Sequence, residues 1–422
     1  MKILKVIHGY PPTYNAGSEV YSQSICEELV QSNEVQVFTR EQNDYQLDFS
    51  TRQEIRNGVL LTMVNLPREK DGYQHTAVNE LFRKTLHTMQ PDVVHIGHLN
   101  HLSIGIVKEA KKANVPMVFT LHDFWLMCPR GQFLQRNFDG KNIYQLCDKQ
   151  ENGKCATQCY KMLHSCSVND EVTDLAYWTE WIARRMKATR EIIPFIDKFI
   201  APSKYLMNRF INDFQIPKDK ITYLDYGFPT KYLQPVTPNK KRPFTFGYIG
   251  THIPAKGVNL LIDAFKKLTA PSQLIIWGRH NGQNTVSLKK MAEGNPNPIF
   301  FEKEYDNKNI VKEVFQKIDT IVVPSIWGEN SPLVIHEAQA CHIPVVTADF
   351  GGMKEYVQHH VNGLLFQHRN TNDLATKMEW AIQHPDTLKQ YGKRGYPYSE
   401  DGKPMDIAQH CQLLQQIYNQ VI

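Results

Sequence analysis

Residues 320–349 read TIVVPSIWGENSPLVIHEAQACHIPVVTAD, and the fold turns on this stretch. An apolar run, TIVVPS, ends in a polar loop. Leu333, Val334, Ala338 and Cys341 then recur at helical spacing, and a second apolar run, PVVTAD, follows. Strand, helix and strand in succession is the unit from which parallel sheets are built. Ser331 followed by Pro332 predicts an N-cap with proline in the first helical position. The stretch also holds two carboxylates, Glu329 and Glu337, eight positions apart. Paired carboxylates suit acid/base work on a sugar, yet glutamate is also an ordinary helix residue. Glu329 falls in the loop before the helix and Glu337 on its second turn. They do not flank a common point as a glycosidase pair would. They are better placed to grip different parts of one ligand at a helix N-terminus.

The same alternation extends in both directions. Towards the N-terminus KILKVIHG, EVQVFTR, VLLTMVNL, DVVHIG, PMVFTLH and KFIAPS read as strands, with helical patterns such as Gly17 to Ser32 and Tyr177 to Ile192. After residue 243 come FTFGYIG, QLIIWG, PIFFE and GLLF, with helices over Val258 to Leu268 and Thr285 to Glu293. The segment FPTKYLQPVTPNKKRP, residues 228–243, is rich in proline and lysine and reads as a linker. The expectation is α/β, with two doubly wound Rossmann-like domains over residues 1–227 and 244–398. The first carries a cysteine-bearing insertion at about 128–166, and the tail 399–422 ends in a helix, Asp406 to Tyr418, that packs back across the linker.

Composition excludes extremes. The chain has 422 residues, 41% hydrophobic and 22% charged, with a net charge of +5 and 17 histidines. That balance suits a globular enzyme with anionic ligands and is far from a nucleic-acid binder. No run approaches the ~18 apolar residues of a membrane-spanning helix. MKILKVIHGYPP reads as a first strand, not a signal peptide, which predicts a cytoplasmic protein. Cys26, Cys341 and Cys411 stand in helical patterns as buried small hydrophobes. Cys128, Cys147, Cys155, Cys159 and Cys166 crowd together. Cys147, Cys155, Cys159 and Cys166, separated by seven, three and six residues, suit a structural zinc site, with a reduced, partly buried loop as the alternative.

Ligands in doubly wound domains bind beyond the carboxyl ends of the strands. Four loops qualify: GYPPTYNAGSE, HDFW, GTHIPAKG and IWGENS. GTHIPAKG is neither a Walker A loop nor a GxGxxG turn. Lys256 at such a strand–helix turn suits a phosphate, or is a solvated loop lysine. Gly17 before its helix permits close backbone approach, or is an ordinary turn. His122 and Asp123 close PMVFTL, where a ligand would meet them, whereas His95 keeps a structural reading. The helix AYWTEWIARRMKATREI is aromatic first and basic later, which fits packing in the first domain or a membrane surface.

Together these loops resemble the retaining GT-B glycosyltransferases of family 4 (group 1). The resemblance covers nearly the whole chain. Its most specific parts are the Glu-x7-Glu motif in GENSPLVIHEAQACHIPVV and the GG-x-x-E…NG-LLF pattern in GGMKEYVQHHVNGLLF. The glycine loop, PDVVH, TLHD and APSKYL add to it. The resemblance implies two domains facing a cleft and transfer of a hexose, with retention, from a nucleotide-diphosphate sugar to a glycan, lipid-linked or small-molecule acceptor. Glu337 would bond the ribose hydroxyls. Glu329 and the backbone of Asn330, Ser331, Pro332 and Leu333 would hold the transferred sugar. Lys256 would neutralise the diphosphate, with Gly17 at its distal phosphate, and His122 would contact the sugar near the reacting carbon. The family usually has arginine where this chain has Thr251, so the diphosphate loses a charge or His252 replaces it. No cofactor is required for the chemistry beyond any structural zinc, and no nucleic acid is implied. A lipid-linked acceptor would bring peripheral contact with the inner membrane face. A sugar-nucleotide epimerase, a phosphorylase and a non-catalytic binding protein share the architecture.

Overall fold

In the computed structural model, residues 1–66, 72–137, 144–160, 171–236 and 242–422 are described. They divide into two compact units, one of Met1–Gly227 with Ile407–Ile422 and one of Phe228–Asp406.

The first unit is built on strands β1 (Lys2–Val6), β2 (Glu34–Glu41), β3 (Thr51–Arg56), β4 (Val59–Asn65), β5 (Val93–Ile96), β6 (Met117–Thr120), β7 (Lys198–Ala201) and β8 (Ile221–Tyr223). Their order is β3-β4-β2-β1-β5-β6-β7-β8, all pairings parallel except that of β3 with β4. The parallel strands read as unbroken apolar runs because helices cover both faces. Strand β3, TRQEIR, has no such run, since it is an exposed antiparallel edge. Its charges blunt that edge, and they also hide the strand from sequence reading.

The C-terminal helix Ile407–Val421 belongs to this unit. Tyr418 Oη lies 2.7 Å from His95 Nδ1, and His410 Nε2 lies 2.8 Å from Tyr21 Oη on the helix Gly17–Leu29. His95 is therefore a buried structural residue, its other nitrogen 2.8 Å from Thr120 Oγ1. Cys26, Cys341 and Cys411 are buried, as small hydrophobes would be. Lys5, on the central strand, is also buried, with its ammonium nitrogen unpartnered, and burial pushes its pKa down to about 7.

The second unit carries β9 (Phe244–Ile249), β10 (Ser272–Trp277), β11 (Ile299–Phe301), β12 (Thr320–Val323), β13 (Val345–Ala348) and β14 (Gly363–Phe366). Its order is β11-β10-β9-β12-β13-β14, parallel throughout. The order reverses at β9, and a doubly wound sheet places ligands at such a point. The segment read as a linker is partly folded onto this unit. Phe228 N–H donates to Met405 O at 2.9 Å, and Val236 N–H to Cys341 O at 2.9 Å.

Candidate functional site

In the second unit the loops after β9 and β12 lie side by side, because these strands are neighbours in the sheet. Ile326 N–H donates to Ala255 O at 3.0 Å. Gly257 has φ +69°, and a Cβ there would stand 2.0 Å from Pro324 O, so only glycine permits this approach.

The approach brings Lys256 and Glu329 together, Nζ donating to Oε1 at 2.7 Å. The same oxygen accepts Ser325 Oγ at 2.7 Å and Trp327 Nε1 at 2.9 Å. Glu329 is thereby buried and locked, while 32% of the Lys256 side chain remains exposed. Lys256 Nζ also lies 5.8 Å from the centroid of the Trp327 ring. The pair thus presents one ammonium group whose counter-charge is fixed behind it.

The helix that follows is Leu333–Ala340. The expected Ser331 cap is corrected: Pro332 occupies the cap position with extended backbone, ψ 115°, so the helix starts one residue later. Proline suits the change because its carbonyl still accepts the first bond, from Ile335 N–H at 3.0 Å. Asn330 and Ser331 are buried, and Leu333 is half-buried. Glu337, half-buried on this helix, makes no side-chain hydrogen bond among the described residues. Burial raises its pKa to about 7, against the pull of His336.

The glycine pair 351–352 shapes the loop from behind. Gly352 N–H donates to Glu329 O at 2.7 Å, and a Cβ at Gly352 would fall 1.4 Å from Asn330 O. Gly352→Ala must therefore displace the backbone at 329–330. It is expected to weaken ligand binding at this loop at least tenfold, checked by calorimetric titration alongside a Gly153→Ala control, where a Cβ meets nothing within 4 Å and the backbone is not left-handed.

Thr251 and His252 depart from expectation in different ways. Thr251 follows Gly250, and its carbonyl accepts Tyr248 Oη at 3.3 Å. His252 is buried, its Nδ1 3.1 Å from Thr285 Oγ1 and its ring stacked on His280 at 5.2 Å. Burial, with His280 and Lys289, lowers its pKa to about 4. As placed, His252 is a neutral ring turned towards Thr285 and His280.

In the first unit Gly17 opens the helix Gly17–Leu29 and is exposed. Glu19 in its first turn accepts Ser18 Oγ at 2.7 Å and lies 3.3 Å from His8 Nε2. His122 follows β6 with Nδ1 2.6 Å from Tyr226 Oη, its ring edge-on to Tyr21. Burial first, then the charges of Lys5, His98 and His8, hold its pKa well below the usual histidine value. Sequence reading missed His98, whose Nε2 lies 3.3 Å from both Asp123 oxygens and whose ring centroid lies 4.4 Å from that of His8, the two rings tilted by 55°. Its position beyond β5 was the available signal.

Among the described residues no group of three or more metal-ligating side chains converges. Cys147 Sγ donates to Lys149 O at 3.0 Å, and burial raises the Cys155 thiol to about 12. Cys166 lies outside the described residues. The described thiols do not by themselves make a zinc site.

Comparison with known proteins fits this geometry. Residues 16–232 match the model of glycosyltransferase family 4, and residues 231–397 that of the group 1 glycosyl transferases. The chain belongs to this family. An uncharacterised glycosyltransferase of Methanocaldococcus jannaschii is 29% identical over 207 residues, 48% of this chain and 55% of that protein. The chain thus spans about half the length of the first curated relatives it matches. Sucrose-phosphate synthase from Thermosynechococcus elongatus has a TM-score of 0.69 at 16% identity, covering 99% of this chain and 98% of the other. HepE of Anabaena, solved with UDP and glucose, has a TM-score of 0.68 at 16% identity and covers 100% of both chains. The fold of this family member is accordingly GT-B. Among the described residues no helix is long and apolar enough to cross a membrane.

Proposed function

We propose that the protein transfers a hexose from a nucleotide-diphosphate sugar to a glycan, lipid-linked or small-molecule acceptor, with retention at the anomeric carbon. The observation that carries this reading is the Lys256–Glu329 pair at 2.7 Å, set in the loop that leads into the Glu337 helix. Lys256 faces the diphosphate, where negative charge grows as the glycosidic bond breaks. Glu337 accepts the ribose hydroxyls, and Glu329 with the backbone of Asn330 to Leu333 holds the sugar. Gly17 is assigned to the distal phosphate and His122, a neutral hydrogen-bonding ring, to the transferred sugar. No side chain is assigned as a covalent nucleophile; the leaving phosphate assists deprotonation of the acceptor. The solved complex of HepE with UDP and glucose supports trying UDP-glucose first. We infer action in the cytoplasm, at the inner membrane face if the acceptor is lipid-linked.

A panel of UDP, GDP, ADP and dTDP sugars tests this, with product configuration read by NMR. Selective consumption of one donor with a retained anomeric centre is expected. Inverted product would overturn the mechanism, and indifference to every donor would overturn the activity.

Glu337 adds a pH dependence. Its pKa of about 7 means that much of it is protonated at pH 6, while a carboxylate receiving two hydroxyls must be ionised. Binding therefore releases a proton, and affinity rises with pH until the carboxylate is fully ionised. Nucleotide Kd should fall about tenfold between pH 6 and 8, and the slope should vanish in Glu337→Gln. Calorimetry in buffers of different ionisation enthalpy checks both.

A further inference from the structure

We propose that Asp123, oriented by His98, receives a hydroxyl of the acceptor, and that the acceptor is an uncharged sugar where it meets this edge of the first unit. The inference rests on the transferase reading above and adds the acceptor's chemical class.

In the first sheet the strand order reverses at β1, whose neighbours are β2 and β5. A doubly wound sheet takes ligands beyond the carboxyl ends of its strands at such a point. His8 follows β1, His98 follows β5 and Asp123 follows β6, and these three strands lie side by side. The ring centroids of His8 and His98 are 4.4 Å apart. Each of these histidines faces a carboxylate. His98 Nε2 lies 3.3 Å from both Asp123 oxygens, and His8 Nε2 lies 3.3 Å from Glu19 Oε1.

The tautomer of His98 follows from its other nitrogen. Asn100 N–H donates to Nδ1 at 3.0 Å, so that atom carries a lone pair and the proton sits on Nε2. His98 therefore donates to Asp123. Trp125 N–H donates to Asp123 Oδ1 at 2.7 Å, and Arg185 fixes that turn by donating to Trp125 O at 2.6 Å. Burial works against the Asp123 charge, yet His98 and the Trp125 N–H hold the carboxyl below the usual carboxylate range. An ionised carboxylate only accepts hydrogen bonds.

His98 is buried, whereas 31% of the Asp123 side chain is exposed. Asp123 Oδ2 takes no donor besides His98 among the described residues, and a carboxylate oxygen can take a second. A Cβ at Gly131, which has φ +75°, would stand 3.1 Å from Oδ2, so the loop after β6 passes this oxygen as bare backbone. The carboxylate is held from behind and open to a donor in front. Its charge selects the class of that donor. Asp123 and Glu19 at one edge repel a phosphate or carboxylate, while a neutral hydroxyl gains a charge-assisted bond. Arg40, a neighbouring cation, is turned to His8 O at 2.9 Å and to the Tyr14 ring at 5.0 Å. Asp123 takes no proton. It orients the acceptor through a hydroxyl beside the attacking one, whose own proton goes to the leaving phosphate.

The test is a saturation-transfer NMR titration of the full chain with methyl glycosides of glucose, galactose, mannose and N-acetylglucosamine, each beside its 6-phosphate. At least one glycoside should bind, and its 6-phosphate should bind at least tenfold more weakly. Asp123→Asn keeps the size of the side chain and the Trp125 contact, and should weaken the bound glycoside at least tenfold. His98→Ala should weaken it too, and His98→Gln, which still offers an N–H to the carboxylate, should restore part of the loss. The double variant Asp123→Asn/His98→Ala should be no weaker than Asp123→Asn alone, because His98 acts through Asp123. Urea unfolding of each variant checks the fold, and nucleoside diphosphate affinity, read by calorimetry, should be the same in all. A wild-type chain that binds no glycoside, or binds the 6-phosphates equally well, would overturn the acceptor class. A folded Asp123→Asn that binds the glycoside like the parent would overturn the site. Nucleotide binding is read separately, so each of those results leaves the proposed activity to be judged on its own titration.

Discussion

Lys256→Ala should lower kcat by a factor on the order of 10², with a smaller effect on the donor KM. The reason is the timing of charge. The diphosphate of the bound donor already carries negative charge, and more develops on its leaving oxygen as the glycosidic bond stretches. A cation at that point stabilises the transition state beyond the ground state, and only this difference raises kcat. The fold should survive, because Glu329 Oε1 keeps Ser325 and Trp327 as donors after the ammonium is gone. The loss should fall at the severe end, since Thr251 is uncharged and His252 is buried and neutral. Thr251→Arg should then recover part of the defect, as it restores a cation on the same loop. Steady-state kinetics of the single and double variants check this. A rise in KM alone would make Lys256 an attractor of the donor with no part in stabilising the leaving group.

Replacement of Lys5 by methionine is expected to stabilise the first unit by about 2–4 kcal/mol at pH 7.5. Lys5 is buried on the central strand with its amine unpartnered, beneath Gly97 and 5.9 Å from the centroid of the Tyr21 ring. Its pKa is about 7 in the fold, against 10.5 for the free side chain. Between these values the unfolded chain holds a proton that the native chain has lost. Stability therefore rises with pH there, by about 1.4 kcal/mol per pH unit from this group. Protonation below pH 7 puts a charge in the core, and the cost is then at its full value. Methionine removes the titration and keeps most of the volume. The advantage of Lys5→Met should consequently shrink by about 1 kcal/mol between pH 7.5 and 8.5. The neighbouring Cys26 thiol is raised from 9.0 to about 12, so its opposing effect begins above this window. Urea unfolding of both proteins at the two pH values gives the comparison, and a constant difference would show that Lys5 is not a buried neutral amine.

Much of this arrangement is legible in the chain, for a physical reason. Parallel strands covered on both faces must be apolar throughout, so β1, β5, β6, β9, β12 and β13 announce themselves. Their following loops then mark where a ligand can lie, which brought Lys256 and Glu329 forward as candidates. Their meeting depends on β9 and β12 being neighbours, and that adjacency is a property of sheet order that periodicity does not carry. Three features were hidden. Strand β3 is an exposed edge and has only Ile55 as a large apolar residue. His252 turns inward because Thr285, thirty-three positions away, receives its ring. The cap lies at Pro332 and not Ser331, just after a loop whose Glu329 O is held by Gly352 N–H from outside the local sequence. The last two involve contacts distant in the chain, where local propensity has no purchase.

The central claim is that the loop before Leu333–Ala340 and Glu337 on that helix hold a nucleoside diphosphate. It is tested most directly by calorimetric titration of the cognate nucleoside diphosphate into the wild-type chain and Glu337→Ala at pH 8. The wild-type should bind one equivalent, and the variant should be weaker by about 1.5–3 kcal/mol while remaining folded. Unchanged affinity in a folded Glu337→Ala, or no nucleotide binding by the wild-type chain, would contradict it.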